Sequence, residues 1–449
     1  MNTKEFIKEV CQEIDYKPIR NSIAEEIDSH IQELQEENIK KGLSKEESER
    51  IALEQMGEAK SIGKALNKIH RPKLDWKLVL LVFFIFSFGI LITICKQTTK
   101  NTGITEIIVN ILFGFLIGFG IYFFDYRKIR KYSNLVYLVA LLALLLPAFD
   151  ILTNTIGGIK HISIMGINFK PTVISVLLFI IAFVGFLIDY NTNNKLKISL
   201  NITNSEHNIS LTKDLLKIIV LSLISIIMIA ETPSLANAVI LSIIYIVLST
   251  IYIVNANEKW KTNILKFYGI IGTVLICFML LIGERGILYF IYRFDVSINP
   301  ERDPNGMGYI GMLEKEIIDN ANFFGEANTE IMDKEVIHTE SAFSFVYLIG
   351  KLGIIAGITL IISILLMFYK LIFNVKLIKD VYGKFIIIGL SSFFIIQASA
   401  NILMNLNLGI KVDVLIPFIN FSSLYFIMNC ICLALILSVY RRKDIIMNS

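Results

Sequence analysis

The residues with most chemistry to offer lie in one long polar stretch, Arg293 to Glu340, set between strongly apolar runs. It reads Arg293, then Asn299-Pro300-Glu301-Arg302-Asp303-Pro304-Asn305-Gly306-Met307-Gly308-Tyr309, then Phe323-Phe324-Gly325, then His338-Thr339-Glu340. Proline fixes φ and glycine permits positive φ, so this spacing predicts a loop of defined shape. Arginines and carboxylates beside a membrane give such a loop the means to bind a charged, lipid-borne substrate. The plainer alternative is a solvated connector between two helices.

Composition points to a membrane. Of 449 residues, 54% are hydrophobic and only 18% charged, with a mean hydropathy of +0.63. Soluble chains carry about 25% charged residues, so this is the composition of a membrane protein. A net charge of +4 is too small to argue for nucleic acid, and the basic residues fall in short loops rather than on one face. Cys11, Cys95, Cys277, Cys430 and Cys432 have no metal-ligand spacing; four lie in or beside apolar runs and read as small core residues.

The chain opens without a signal-peptide pattern. Residues 1–73 are polar and helical in pattern. Ile23, Ile27, Ile31 and Leu34 recur at helical spacing, Gly42 closes that helix, and Ser44-Lys45-Glu46-Glu47 starts another that stops near Gly57. A short helix around Lys60–Ile69 follows. The order Glu25, Ser29-His30-Ile31, Gly42-Leu43-Ser44, Ala52, Met56-Gly57 resembles the small helical prefix domain found ahead of some bacterial permeases. That resemblance implies a cytoplasmic docking or regulatory module.

From Trp76 onward, apolar runs of about twenty residues recur, each long enough to cross a bilayer. Spans are predicted at Trp76–Cys95, Ile104–Phe124, Tyr132–Leu152, Pro171–Ile188, Leu215–Ala230, Leu235–Val254, Leu265–Gly283, Phe343–Phe368, Phe385–Asn405 and Val414–Tyr440. The basic clusters at Arg71–Lys73, Arg127–Lys131, Lys195–Lys197, Lys259–Lys261, Lys370–Lys379 and Arg441–Lys443 all fall on one side, which assigns that side to the cytoplasm. The expectation is an all-α, polytopic membrane protein of about ten transmembrane helices (residues 74–449) with a cytoplasmic N-terminal bundle (1–73). Both termini are then cytoplasmic, and loop 284–342 is external.

The run Arg293-x(5)-Asn-Pro-Glu-Arg-Asp-Pro-x-Gly-x-Gly-Tyr resembles the external loop of the SEDS proteins, the RodA/FtsW/SpoVE group of peptidoglycan polymerases. In that family the loop ends in a His-Thr-Asp-Phe-like motif carrying the catalytic aspartate; here it reads His338-Thr339-Glu340-Ser341-Ala342-Phe343, with Leu352-Gly353 downstream. Phe124-Asp125-Tyr126-Arg127 resembles the family's Asp-Tyr-Arg junction. Gly157-Gly158-Ile159-Lys160-His161-Ile162 resembles Gly-x-Arg-Arg-Trp, with Lys160 at an arginine position and Ile162 in place of the tryptophan. Lys170-Pro171-Thr172-Val173 keeps the proline of Phe-Gln-Pro-Ser-Glu and loses the glutamine and glutamate. Glu231–Asn237 stands where the family has Pro-Asp-Leu-Gly-Thr, and Ile416–Ser423 resembles Leu-Pro-Phe-Ile-Ser-Tyr-Gly-Gly. The ten-span layout agrees with the same family.

The resemblance implies a glycosyltransferase that joins lipid-linked disaccharide-pentapeptide units outside the membrane, paired with a membrane transpeptidase, a class B penicillin-binding protein. A sugar hydroxyl would attack the anomeric carbon of an undecaprenyl-pyrophosphate donor. Glu340 would be the general base and Arg293, Arg302 and Lys160 the cations that receive the leaving pyrophosphate, with Asp303 in the same substrate-binding loop. A divalent cation is possible, and the residues point to no protein-bound metal. Two registers are open: aligning His338-Thr339 puts Glu340 at the catalytic place, whereas aligning Leu352-Gly353 puts Ala342 there. A catalytically silent paralogue acting as scaffold, or a binder or translocase of the precursor, are the alternatives; the scarcity of ionisable residues at mid-span argues against a translocase.

Overall fold

The computed structural model describes the chain except for residues 1, 71–73, 98–103, 149–152, 157–158, 165–166, 200–204, 233–234, 257–267, 270–283, 285–287, 334–340, 413, 422 and 444–449. The chain divides into two compact units. One comprises Met1–Asp75 with Leu377–Asp380 and Val439–Ser449; the other comprises Trp76–Lys376 and Val381–Ser438.

The first unit is built on four helices, α1 (Thr3–Gln12), α2 (Arg20–Lys40), α3 (Lys45–Met56) and α4 (Ala59–His70). Each brings an apolar stripe to one core, in which Phe6, Val10, Ile14, Ile23, Ile27, Ile31, Ala52 and Ala59 are buried. Asn2 caps α1 in a reciprocal box with Glu5, and Ser44 Oγ accepts the Glu47 amide at 3.3 Å to start α3. Gly42 and Gly57, at φ +92° and +90°, end α2 and α3 in backbone conformations that favour glycine. The Arg20 guanidinium closes the α1–α2 connection with two bonds to the Ile14 carbonyl, at 2.9 and 2.7 Å. His30 lies on the outer side of α2, 3.3 Å from Glu33.

The second unit carries the apolar helices α5 (Trp76–Gln97), α6 (Ile104–Phe123), the short α7 (Arg127–Arg130), α8 (Ser133–Ala148), α9 (Pro171–Ser199), α10 (Ser205–Ala230) and α11 (Leu235–Ala256). After them come α12 (residues 288–298), α13 (Tyr309–Asp319), α14 (Ser344–Leu352), α15 (Ile354–Leu377), α16 (Val381–Asn405) and α17 (Ser423–Arg441). Among the described residues five of these helices are long and apolar enough to cross a membrane, and four shorter ones are apolar. The predicted span Leu265–Gly283 lies outside the described residues except at Tyr268 and Gly269. The protein is thus a helical, multi-pass membrane protein, as composition predicts.

Three local departures from the sequence reading matter. First, between α8 and α9 the chain forms a three-stranded antiparallel sheet, β1 (Thr153–Ile156), β2 (Ile159–Ile164) and β3 (Ile167–Phe169), in the order β1-β2-β3. Ile156 pairs with Ile159 across the two-residue Gly157-Gly158 connection, and Ile164 with Ile167 across Met165-Gly166. Second, the predicted span Phe343–Phe368 is two helices. Gly353 separates α14 from α15 at φ +95°, and an added Cβ there would collide with the Phe323 carbonyl, so neither a continuing helix nor a side chain fits. Third, the predicted span Val414–Tyr440 is helical only from Ser423. Residues Val414–Phe421 are buried yet irregular, and Phe418 sits at φ +67°.

Irregular backbone at membrane depth needs its polar groups satisfied inside the protein. Side chains do this here. Asn401 donates to the Val414 carbonyl at 2.6 Å, Tyr425 OH to Leu415 at 2.7 Å, and Asn110 to Phe421 at 3.3 Å. Gly89 of α5 lets the Ile419 carbonyl approach its helix closely, and Phe421, Phe426 and Phe86 pack around the same place.

Candidate active site

The Asn299–Tyr309 motif is a tight cradle made by close packing. Pro300–Arg302 forms a 3-10 turn; the amides of Gly306 and Gly308 donate to the Asp303 carbonyl at 3.2 and 3.0 Å. Asp303 Oδ2 accepts from the Met307 amide at 2.9 Å, so this carboxylate shapes the turn that leads into α13. A Cβ on Gly306 would meet the Asp303 carboxylate, one on Gly308 the Pro300 carbonyl, and one on Gly311 the Pro300 ring. These glycines serve proximity: neither Gly306 nor Gly308 has the positive φ that the sequence spacing suggested, whereas Gly325 of the same stretch does, at +83°.

The candidate arginines are both engaged. Arg293, on α12, donates from Nη2 to the Lys411 carbonyl at 3.1 Å, and its own carbonyl accepts Ser297 Oγ at 2.8 Å. Arg302 pairs with Asp295, which also accepts Asn299 Nδ2 at 3.0 Å. The Arg302 side chain remains 60% exposed, so its guanidinium is presented to solvent with its orientation set from one side.

Arg293 leads to a cluster that sequence reading missed. Lys411, in the connection after α16, inserts its ammonium between Glu314 of α13, the Met404 carbonyl and Asn407 Oδ1 (2.7 Å), three acceptors for three donors. Asn407 in turn donates to the Gly311 carbonyl at 3.1 Å. Glu314 is 1% exposed and Lys411 19%. Burial is the larger influence on both: it pushes the Glu314 carboxyl up from near 4.5 to about 7 and pulls the Lys411 ammonium below its ordinary value, while each charge opposes the other's shift. The Met404 carbonyl is one of the last of α16, where a cation is favoured by the helix dipole. Lys411 stands in a polar loop and Glu314 in a helix 97 residues earlier, and nothing local in the sequence links them.

The same helix end holds Ala342, which follows the candidate base by two residues in sequence. Asn401 and Asn405, one turn apart on α16, both donate to the Ala342 carbonyl, at 3.2 and 3.0 Å. Ser344 Oγ adds a 2.8 Å bond to Asn420 Oδ1, and residues Ser344–Gly350 of α14 are buried. Glu340 itself lies outside the described residues, as do His338 and Thr339. In sequence Glu340 precedes Ala342 by two residues. The end of α16 is therefore a hub: one side grips Ala342, the other grips Lys411 and through it Glu314 and Arg293. Lys160 is in β2, opposite Thr155; its side chain is outside the described residues. Among the described residues there is no cluster of His, Cys, Asp or Glu suited to a metal ion.

Comparison with known proteins follows the same lines. The family model for cell cycle proteins of the FtsW, RodA and SpoVE type matches residues 73–445. The chain is 24% identical over 155 residues to a probable peptidoglycan glycosyltransferase FtsW of Trichlorobacter lovleyi, a match covering 34% of this chain and 40% of that protein's length. It is 23% identical over 345 residues to the protein of the same description in Nitrosomonas europaea, covering 73% of this chain and 80% of that one. Among solved structures, a chain of a peptidoglycan synthase complex that coordinates polymerisation and crosslinking superposes with a TM-score of 0.61, at 16% identity, over 82% of this chain and 98% of that one. The rod shape determining protein RodA of Thermus thermophilus superposes with a TM-score of 0.54 at 15% identity, over 82% of this chain and 97% of that one.

Proposed function

Because the chain belongs to the FtsW/RodA/SpoVE family of cell cycle proteins, we propose that it is a peptidoglycan glycosyltransferase. It polymerises a lipid-linked disaccharide-pentapeptide precursor at the outer face of the bacterial cell membrane. The observation that carries this reading is the hub at the end of α16, where Asn401 and Asn405 hold Ala342, two residues after Glu340, while Lys411 is fixed on the adjoining loop and Arg293 of α12 donates to its carbonyl.

In this mechanism Glu340 takes the proton from the acceptor sugar hydroxyl as it attacks the anomeric carbon of the donor, and the bond to the undecaprenyl pyrophosphate breaks. Negative charge then gathers on the departing pyrophosphate. Arg302, half free to solvent, is the guanidinium best placed to receive it; Arg293 and Lys160 complete the cationic set. Asp303 keeps the arginine turn in shape. The Asn401–Asn405 grip limits how far the base can wander, which is what general-base chemistry requires of its support.

Residues 1–73 form a cytoplasmic module, loop 284–342 is external, and both termini are cytoplasmic; the basic-residue bias supports this orientation. The partner is a membrane transpeptidase of the class B penicillin-binding type, supported by the likeness to a synthase complex that couples polymerisation to crosslinking. Polymerisation by purified protein from lipid-linked precursor, with the transpeptidase present, tests the activity. Glycan chains from wild type and none from Glu340→Gln are expected. Absence of product from the wild type would instead leave a silent paralogue. Labelling of Asn305→Cys, but not Ser29→Cys, by an impermeant thiol reagent in intact cells tests the orientation.

A further inference from the structure

Phe323 and Phe324 are adjacent, 73% and 75% exposed, and belong to no core of the protein. Two exposed phenylalanines would ordinarily suggest a slack loop tip, but this tip is held firmly. The Gly325 amide donates to Leu352 at 3.2 Å, Ala327 to Gly350 at 2.6 Å, Ile354 to the Asn322 carbonyl at 2.9 Å and Ile355 to the Phe323 carbonyl at 3.3 Å. Asn322 Nδ2 closes the turn on the Glu326 carbonyl at 2.6 Å, and Glu326 pairs with Lys351. Gly325 at φ +83° and Gly353 at φ +95° let the two segments meet. The rings are thus fixed outward at the first turn of α15.

That turn begins an exposed apolar stripe. Ile355, Ile358, Ile362, Leu365, Leu366 and Tyr369 are all exposed at helical spacing on one face of α15, while Gly357, Leu360, Ser363, Ile364, Met367 and Leu371 are buried on the other. A span whose outward face is apolar along its length faces hydrocarbon. Phe323 is bonded through its backbone to Ile355, the first residue of that stripe, so the two rings extend the lipid-facing surface beyond the end of the helix.

We propose that Phe323 and Phe324 form an interfacial anchor that inserts into the lipid leaflet at the N-terminal end of α15 and fixes the height of the Arg293–Glu340 loop against the bilayer. Aromatic rings are favoured at that depth, where an apolar body meets the headgroup region. The Lys351–Glu326 pair beside them keeps its charges mutually satisfied at the boundary. This surface recognises lipid whatever the loop's catalytic activity.

Fluorescence of the full chain tests it. Trp76→Phe and Trp260→Phe remove the two native tryptophans, and Phe324→Trp or, in a second variant, Phe323→Trp introduces the probe. Each protein is reconstituted in nanodiscs of phosphatidylethanolamine and phosphatidylglycerol, with or without lipids brominated near the headgroup or deep in the chain. The expected result is blue-shifted emission, quenching by the shallow brominated lipid more than by the deep one, and little quenching by aqueous iodide. Red-shifted emission that iodide quenches and brominated lipid does not, in both variants, overturns the anchor. Shielding from iodide that arises only when a membrane protein partner is added, without quenching by brominated lipid, also overturns it, in favour of a protein contact.

Discussion

Removing the carboxylate from the Glu314–Lys411 pair should be costly, and the structure says roughly how costly. In Glu314→Ala, Lys411 keeps the Met404 carbonyl and Asn407 but loses its counter-charge in a site where it is 19% exposed. The ammonium can stay charged, which for a broken buried pair costs about 3–5 kcal/mol. Its other course is to give up its proton about 3.5 pH units below its ordinary 10.5 near neutrality, a ceiling of about 5 kcal/mol. In Lys411→Met the stranded group is Glu314, which needs only to take a proton from near 4.5 to neutrality, a ceiling of about 3.4 kcal/mol. The lysine variant should therefore be the milder of the two near pH 7, and milder still near pH 6. Glu314→Leu with Lys411→Met should recover most of the loss, less about 1–3 kcal/mol for leaving Asn407 Oδ1 without its donor. The wild type carries a pH signature of its own. Glu314 titrates higher when folded than its ordinary value, so the folded state holds the extra proton between about 4.5 and 7, and this group's contribution to stability falls as pH rises through that window. Equilibrium unfolding of the purified protein in mixed micelles, across pH, measures all of this. A Glu314→Ala protein within about 1 kcal/mol of wild type, or a coupling below about 0.5 kcal/mol in the cycle of Glu314→Leu, Lys411→Met and their double variant, would refute the reasoning.

Three further outcomes are expected. Glu340→Gln should bind precursor normally and polymerise about 10²–10⁴-fold more slowly, with Glu340→Asp recovering part of the rate and Asp333→Asn and Glu335→Gln near wild type; glycan-chain analysis on gels reads this directly. Asn401→Ala and Asn405→Ala each leave one donor on the Ala342 carbonyl, so each should lower kcat with little change in KM, and the double variant should lower it by more than either single change. Arg293→Ala and Arg302→Ala should weaken precursor binding by about 1.5–3 kcal/mol. For the exposed Arg302–Asp295 pair, stability should hardly move.

How much of this was legible beforehand depends on the range of each interaction. Ile23, Ile27 and Ile31 announce their helix because periodicity is local, and all three are in the core of the first unit. The apolar runs gave membrane helices for the same reason. Composition alone cannot tell a helix from a buried irregular segment, so Val414–Phe421 read as span; the side chains that satisfy its carbonyls, Asn110, Asn401 and Tyr425, come from three different helices. The sheet has a local signal in Gly157-Gly158 flanked by alternating isoleucine and polar residues, a period of two that helical periodicity does not register. Gly353 is legible as part of a motif, yet its role depends on Phe323, thirty residues upstream. The Arg293 loop was found from its residue types, whereas the Glu314–Lys411 cluster beneath it depends on tertiary contact and no spacing rule reaches it.

The pinning of α14 at both ends also bears on how lineages of this protein can vary in length. Ala342 is gripped by α16 at one end, and Gly353 and Ile354 are locked to Phe323 and Asn322 at the other. A residue inserted between those clamps would rotate everything beyond it by about 100° around the helix axis and break one of them. Residues gained or lost immediately before Ala342, downstream of the Asn322–Ala327 clamp, fall outside this pinned segment, and loop closure costs little per added residue. Indels should accordingly accumulate upstream of Ala342 and be purged from α14, leaving evolution free to retune the reach of a carboxylate such as Glu340 by changing loop length alone.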